Sequence, residues 1–230
     1  MLGLDDKIAG LSDGRTLLLV ILVAVVLGLR HAGDPDHLAA VTTLIATDGQ
    51  RRARRAAALG LSWGAGHATS LLAFGLPIVL YRAYLPEPVQ ATAETAVGVL
   101  IIALAAWLLV RWRRGAFHPH RHPPARLRAA RTPVQAYAIG LVHGMGGSAG
   151  VGVLLLASIR DRPLAVAALA VFAFFAAMSM TIVSTAVGAT LGSAATRRWF
   201  GVAAPALGVL SLGFGIWYAL AALSLAPHGF

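Results

Sequence analysis

Cysteine is absent from the 230 residues, which excludes a disulfide framework, a thiolate metal site and a thiol nucleophile. Any metal held by this chain must therefore be bound through nitrogen and oxygen. Charge is scarce as well: Asp, Glu, Lys and Arg make up 12% of the chain, against ~25% in a soluble domain. Lysine is nearly missing, with Lys7 the one example, so arginine carries almost all the positive charge. That bias fits a GC-rich bacterial genome. A glycine-rich nucleotide-phosphate motif is also lacking, which leaves an ion gradient, the membrane potential or a partner as the source of energy.

What fills the chain instead is apolar, 58% of it, in runs of the roughly 20 residues that a helix needs to cross a bilayer. Such runs recur from end to end, so the expected fold is an all-α polytopic membrane protein of one domain, residues 1–230. Six spans are read: 16–47, 56–81, 92–110, 133–159, 164–191 and 200–225. The first residues carry Asp5, Asp6 and Asp13 against Lys7 and Arg15, unlike the basic start of a cleaved signal peptide, and the first span is expected to be retained. The formal charge of +10 could point to nucleic acid, but the arginines lie in short clusters (RRARR, RWRR, ARLRAAR, TRRWF) between apolar runs. There they act as topology signals. The clusters follow spans one, three and five, which puts all of them on the cytoplasmic side of a bacterial inner membrane and both termini on the other side. The partners implied are a lipid bilayer and no nucleic acid; whether copies of the chain associate is left open.

Division after the third span gives two three-helix halves, about 16–110 and 133–226, joined by a cytoplasmic loop, 111–132. With an odd number of spans each, the halves enter the membrane in opposite orientations, the inverted-repeat plan of many secondary transporters. GLRH at 28–31 and GLVH at 140–143 occupy the same place in spans one and four. The same offset pairs His67 and Thr69 with Ser179 and Thr181. In the proline-rich loop, His118, His120 and His122 alternate with Pro and Arg, a local bias able to capture a metal loosely.

The first span is too long for one straight crossing, since about 32 residues at 1.5 Å each reach about 48 Å. Within it lies RHAGDPDH, residues 30–37, which carries a restart signal. Gly33 is permissive, Asp34 stands as an N-cap, Pro35 as the first helical residue and Asp36 in the first turn. The expectation is a helix broken at HAGDPDH. An intact helix would hold His31 and His37 about 240° apart, whereas a break lets both face one cavity. Counting inward from the arginines puts His37 about 21 Å, His67 about 18 Å and His143 about 18 Å deep. Three spans thus bring a histidine to one level beside Asp34 and Asp36. Ionisable groups at that depth are costly unless paired and mark ion pathways by default. Imidazole and carboxylate without thiolate suit a divalent first-row transition metal, although His and Asp also build proton relays. Arg30 is expected to pair with Asp34 or Asp36 in the absence of metal.

RHAGDPDHLAAV resembles the H-x4-D-H signature of the nickel/cobalt transporter family, also called NiCoT or NicO, with His31, Asp36 and His37 on its invariant positions. WGAGHATSLL resembles the family's second histidine motif at His67. GLVHGMGGSAG is similar to the glycine-rich motif of the UreH-like, urease-accessory branch, and puts His143, Gly144, Gly147 and Ser148 on it. ETAVGVL, with Glu94, resembles the start of that branch's third span. There is no counterpart of the acidic LGxDTATE motif of eight-helix importers, and the histidine-bearing loop is similar to that of the exporter branch. The resemblance implies a secondary transporter moving Ni2+ or Co2+ as substrate, with no resident cofactor. Uptake is the expected direction, and efflux or a non-transporting metal-delivery partner for urease or hydrogenase assembly are the alternatives. The expected ligands are His31, Asp34, Asp36, His37, His67 and His143, with Arg30, Gly144, Gly147, Ser148, Ser179 and Thr181 accessory. Catalysis is the rival class, because His31 to Asp36 also fits the H-x4-D spacing of glycerolipid acyltransferases. That motif lies at a membrane surface, whereas this one is deep, and no enzymatic activity is expected.

Overall fold

The computed structural model describes residues 4–34, 36–38, 40–41, 52–81, 86–114, 132–146, 149–190 and 194–223. Every regular element among them is helical. We number the helices α1 (Leu4–His31), α2 (Arg52–Tyr81), α3 (Glu87–Arg113), α4 (Pro133–His143), α5 (Ala149–Ala157), α6 (Arg162–Thr190) and α7 (Ala194–Ala222). Helical backbone also occurs at 36–38 and 40–41. Among the described residues, Ala53–Tyr81, Glu87–Arg113, Arg162–Thr190 and Val202–Ala222 are long and apolar enough to cross a membrane. The apolar part of α1, Leu17–His31, is shorter. The chain is a multi-pass helical membrane protein. Its outer faces are apolar, with Leu18, Phe174 and Leu210 exposed, as lipid contact requires.

Local sequence explains where several helices begin and end. α4 starts in a capping box: Gln135 N–H donates to Thr132 Oγ1 at 3.2 Å, Thr132 N–H donates to Gln135 Oε1 at 3.0 Å, and Pro133 takes the first helical position. α6 starts with Leu164 N–H donating to Asp161 Oδ1 at 2.7 Å. The fourth expected span is not one helix. It is α4, 11 residues, and α5, 9 residues, with residues 144–146 in a turn between them. GMGG supplies that interruption, since each glycine weakens a helix by about 1 kcal/mol relative to Ala. α1 stops at His31; Gly33 and Asp34 N–H bond back to the Arg30 and His31 carbonyls, and Leu38 N–H bonds to the Asp34 carbonyl at 3.0 Å as helix resumes.

Packing is dominated by α2 with α6, followed by α3 with α7, α2 with α4 and α1 with α6. Small residues bring backbones together, the usual means of association where lipid is as apolar as the side chains. Gly60, Gly64 and Gly75 of α2 meet Ser184, Ala177 and Leu169 of α6, an antiparallel register. Gly98 of α3 meets Ala219 of α7, while Gly215 of α7 meets Ile102 of α3, also antiparallel. Gly140 and Gly144 of α4 meet Trp63 and His67 of α2 in a parallel register.

These contacts come in matched pairs. Gly28 of α1 lies over the Phe172 carbonyl and the Ala176 amide of α6, and Gly140 of α4 lies over the Trp63 carbonyl and the His67 amide of α2. Ser179 Oγ shares its proton between the Gly28 carbonyl at 3.0 Å and the Ala176 carbonyl at 2.9 Å, and Ser70 Oγ donates to the Leu141 carbonyl at 2.6 Å. The two large apolar cores match likewise: Ala24, Leu71, Val153, Ala165 and Phe172 in one answer to Ala136, Met180, Val41, Ala56 and Trp63 in the other. By these contacts His67 lies on α4 as Ala176 lies on α1, and Ser70 as Ser179, an alignment that differs from the expected one of His67 with Ser179 and Thr69 with Thr181.

Candidate metal centre

Two helix ends and one helix middle build the site. His31 is the last residue of α1, His143 the last of α4, and His67 lies midway along α2. Asp36 and His37 follow the turn that begins at Ala32. All five are buried, with His67 and His143 at 0% exposure. Gly140 and Gly144 allow the α4 backbone to lie directly on α2, which brings His143 beside His67.

The imidazoles form a continuous cluster. His31 Nε2 and His67 Nε2 share a hydrogen bond of 2.9 Å, and the His31 and His37 ring centroids are 4.3 Å apart. His37 lies 4.4 Å from His143, centroid to centroid. His37 Nδ1–H donates to Asp36 Oδ1 at 3.1 Å, and Asp36 Oδ2 faces His143 Nε2 at 3.4 Å. At the mouth of the turn, Asp34 faces His31 Nδ1 at 3.4 Å and Arg30 at 3.2 Å. Arg30 is thus paired with Asp34, one of its two expected partners.

Potential ligand atoms converge in two sets. One atom each from His31, His37 and His67, or from Asp36, His37 and His143, lie within 4.8 Å of one another. Around a first-row divalent ion, with metal–nitrogen bonds of about 2.0–2.1 Å, donor atoms are separated by roughly 3–4 Å, so small side-chain rotations suffice. His37 Nε2, His67 Nδ1 and His143 Nδ1 are buried without a hydrogen-bond partner among the described residues. Orphaned polar atoms at such depth call for a ligand. The donor set, nitrogen and carboxylate oxygen, suits Ni2+, Co2+ or Zn2+.

The accessory residues divide. Gly144 lies against the His67 carbonyl. Ser179 ties α6 to the last turn of α1. Thr181 is a packing residue: its hydroxyl donates to the Ala177 carbonyl and its Cα meets Gly60, two turns from His67. Gly147, Ser148, Pro35 and the loop histidines His118, His120 and His122 lie outside the described residues. Sequence reasoning passed over two aromatic walls. Trp63 stands 5.6 Å from His37 and 5.9 Å from His143, and Phe172 stands 5.6 Å from His31, centroid to centroid. Trp63 is four residues before His67 and therefore on the same helix face, a signal that was available.

The model of the NicO family, described as high-affinity nickel-transport protein, matches residues 17–224. The chain belongs to the NicO family. Among curated relatives, it is similar to the urease accessory protein UreH of Bacillus sp. (strain TB-90), 27% identical over 157 residues, which cover 64% of this chain and 67% of UreH. It is similar to the hydrogenase nickel incorporation protein HupN of Bradyrhizobium diazoefficiens, 28% identical over 225 residues, covering 82% of this chain and 57% of HupN. A 106-residue stretch, 45% of this chain, is 37% identical to a high-affinity nickel transport protein of Cupriavidus necator and covers 28% of it. The chain thus spans between about a quarter and two thirds of these relatives' lengths. No solved structure matches it significantly. NicO is a family of transport proteins, not of enzymes, which removes the acyltransferase rival.

Proposed function

We propose that this NicO chain is a secondary carrier that takes up Ni2+ or Co2+ across the bacterial inner membrane. The observation that carries this reading is the convergence of four histidines and Asp36, buried in a membrane bundle with four ring nitrogens that lack a hydrogen bond among the described residues. Ligands held by three helices can be moved apart when those helices shift, which a carrier requires and a rigid structural site does not. The names of the nickel-transport and nickel-incorporation relatives support the choice of metal.

The carrier is built as two inverted three-helix repeats, α1–α3 and α4–α7, with six crossings. The matched contacts support this plan, because exchange of α1 with α4 and α5, α2 with α6, and α3 with α7 preserves the four most extensive helix pairings. The helix directions agree: partners two crossings apart run parallel, and partners three apart run antiparallel. Both first crossings are interrupted, one after His31 and one after His143. With the arginine clusters cytoplasmic, both termini face outward.

The test is accumulation of radioactive nickel at submicromolar concentration in bacteria lacking their own nickel carriers, with this chain or its His37→Ala variant at matched membrane abundance. Accumulation above the empty control and lost in the variant is expected. Depletion lost in the variant would mean efflux. No difference between the two would refute the carrier reading in favour of a membrane metal-delivery partner, in keeping with the name of UreH.

A further inference from the structure

The buried cluster offers more than one set of donors. Its donors form two triads, His31–His37–His67 and Asp36–His37–His143, and His37 alone belongs to both. The structure gives the two edges of its ring different neighbours: Nδ1–H is held by Asp36 at 3.1 Å, while Nε2 has no hydrogen-bond partner among the described residues. The ends of the cluster differ too. Phe172 lies against His31, and Trp63 lies against both His37 and His143.

We infer that the two triads are successive metal stations and that an ion passes between them with His37 as the ligand common to both. This rests on the carrier reading and adds a second binding site to it. At the first station the donors are three neutral imidazoles, with Asp36 outside the sphere holding the Nδ1 proton of His37. A carboxylate in that place fixes the tautomer and leaves Nε2 free for the metal. At the second station Asp36 itself becomes a ligand, with His143 and His37. The transfer breaks the hydrogen bond between His37 and Asp36, leaves the proton on Nδ1 and the ion on Nε2, and swings the Asp36 carboxylate and His143 onto the ion as His31 and His67 let go. No step exposes a bare divalent ion to the bilayer interior, where an unpaired charge is costly. Two moderate sites in series also serve flux better than one tight site, because an ion must leave as readily as it enters. Since His37 is shared, occupancy is exclusive.

The experiment uses the purified full chain in detergent with Co2+ as probe. It records binding stoichiometry and the number of imidazoles around the metal from X-ray absorption, for wild type and for His67→Gln and His143→Gln. These substitutions keep length and neutrality at buried positions. Flux of the same proteins is measured in liposomes. Each variant is expected to bind about one equivalent, with three imidazoles in His143→Gln and two in His67→Gln, while transport falls about tenfold or more in both. Wild type should show two to three imidazoles, a measurement that does not depend on how the variants fold. Four imidazoles in wild type, loss of binding in both variants, or the same imidazole number in both would overturn the two stations. Binding that divides as expected in a wild-type chain that moves no metal would keep the two sites and refute the carrier. Wild-type flux from a single four-histidine sphere would keep the carrier and refute the stations.

Discussion

Gly144 couples the packing of the bundle to the metal centre through a single missing methyl group. A Cβ there would lie 2.6 Å from the His67 carbonyl oxygen and 3.0 Å from both His67 Cα and Ser70 Cβ. Ordinary contact begins at 3.4 Å, and the nearest obstacle is backbone, which cannot rotate away. The φ of Gly144 is −79°, open to any residue, so the requirement is one of space alone. Gly144→Ala must push α4 from α2 by about 0.8 Å, which moves His143 away from Asp36 and His37 and presses on the His67 backbone, so that both donor triads are disturbed, whereas a metal site tolerates ligand shifts of about 0.2 Å. Overpacking of this kind costs about 1–3 kcal/mol of stability. Nickel affinity should fall about 10- to 100-fold, the loss typical when ligand support is removed. The control is Gly213→Ala in α7, where a Cβ meets nothing within 4 Å; it should leave binding unchanged and gain up to about 1 kcal/mol from helix propensity. Calorimetric titration of both proteins with Ni2+ decides the matter. If Gly144→Ala binds within about twofold of wild type, the close approach of α2 and α4 is not what sets the site.

Asp36→Asn keeps the shape of a side chain that is 4% exposed but removes its charge. Nickel transport should be abolished at undiminished membrane abundance, and normal transport would remove Asp36 from the site. Ser70→Ala and Ser179→Ala each delete a buried bond to the carbonyl of a neighbouring helix, at about 0.5–1.5 kcal/mol. The two should lower the unfolding midpoint by similar amounts, with Thr181→Ala close to neutral; a large difference between the two serines would argue against their equivalence. Ni2+ at about 100 times its Kd should stabilise the chain by about 2.7 kcal/mol, read as a rise in unfolding temperature. An equal rise in His37→Ala would mean that the metal binds elsewhere.

The histidines were legible because cost made them so. A residue such as His67, in the middle of an apolar run and counted about 18 Å from the nearest arginine, has few explanations other than pairing or function. Asp36 and His37 were legible through spacing, since GDPDH carries its own helix-start chemistry. The partners of these groups were not. Nothing in the sequence says that His31 turns to His67 rather than to His143, because that choice depends on how closely α2 and α4 approach, and the approach depends on Gly140 and Gly144 lying over particular carbonyls. The alignment of the two halves was left open for a related reason. GLRH and GLVH fix only the first helix of each half, and the three-residue difference in the following connection is invisible until Gly28 and Gly140 are seen against Phe172 and Trp63.

That register exposes an imbalance. His31 and His143 are counterparts, as are their aromatic walls Phe172 and Trp63, but His67 stands opposite Ala176 and contributes a ligand that the second half lacks. Asp36 and His37 likewise answer to Ser148 and Ala149 by the offset of their helices. In a carrier of two matched halves, inward- and outward-open states are near-equivalent by construction, and any difference in energy between them must come from the unmatched residues. Among the unmatched residues are three of the proposed ligands, Asp36, His37 and His67. On the proposed carrier plan, occupancy of the site therefore acts on the balance between the two states, because three of the groups that bind the ion come from one half alone.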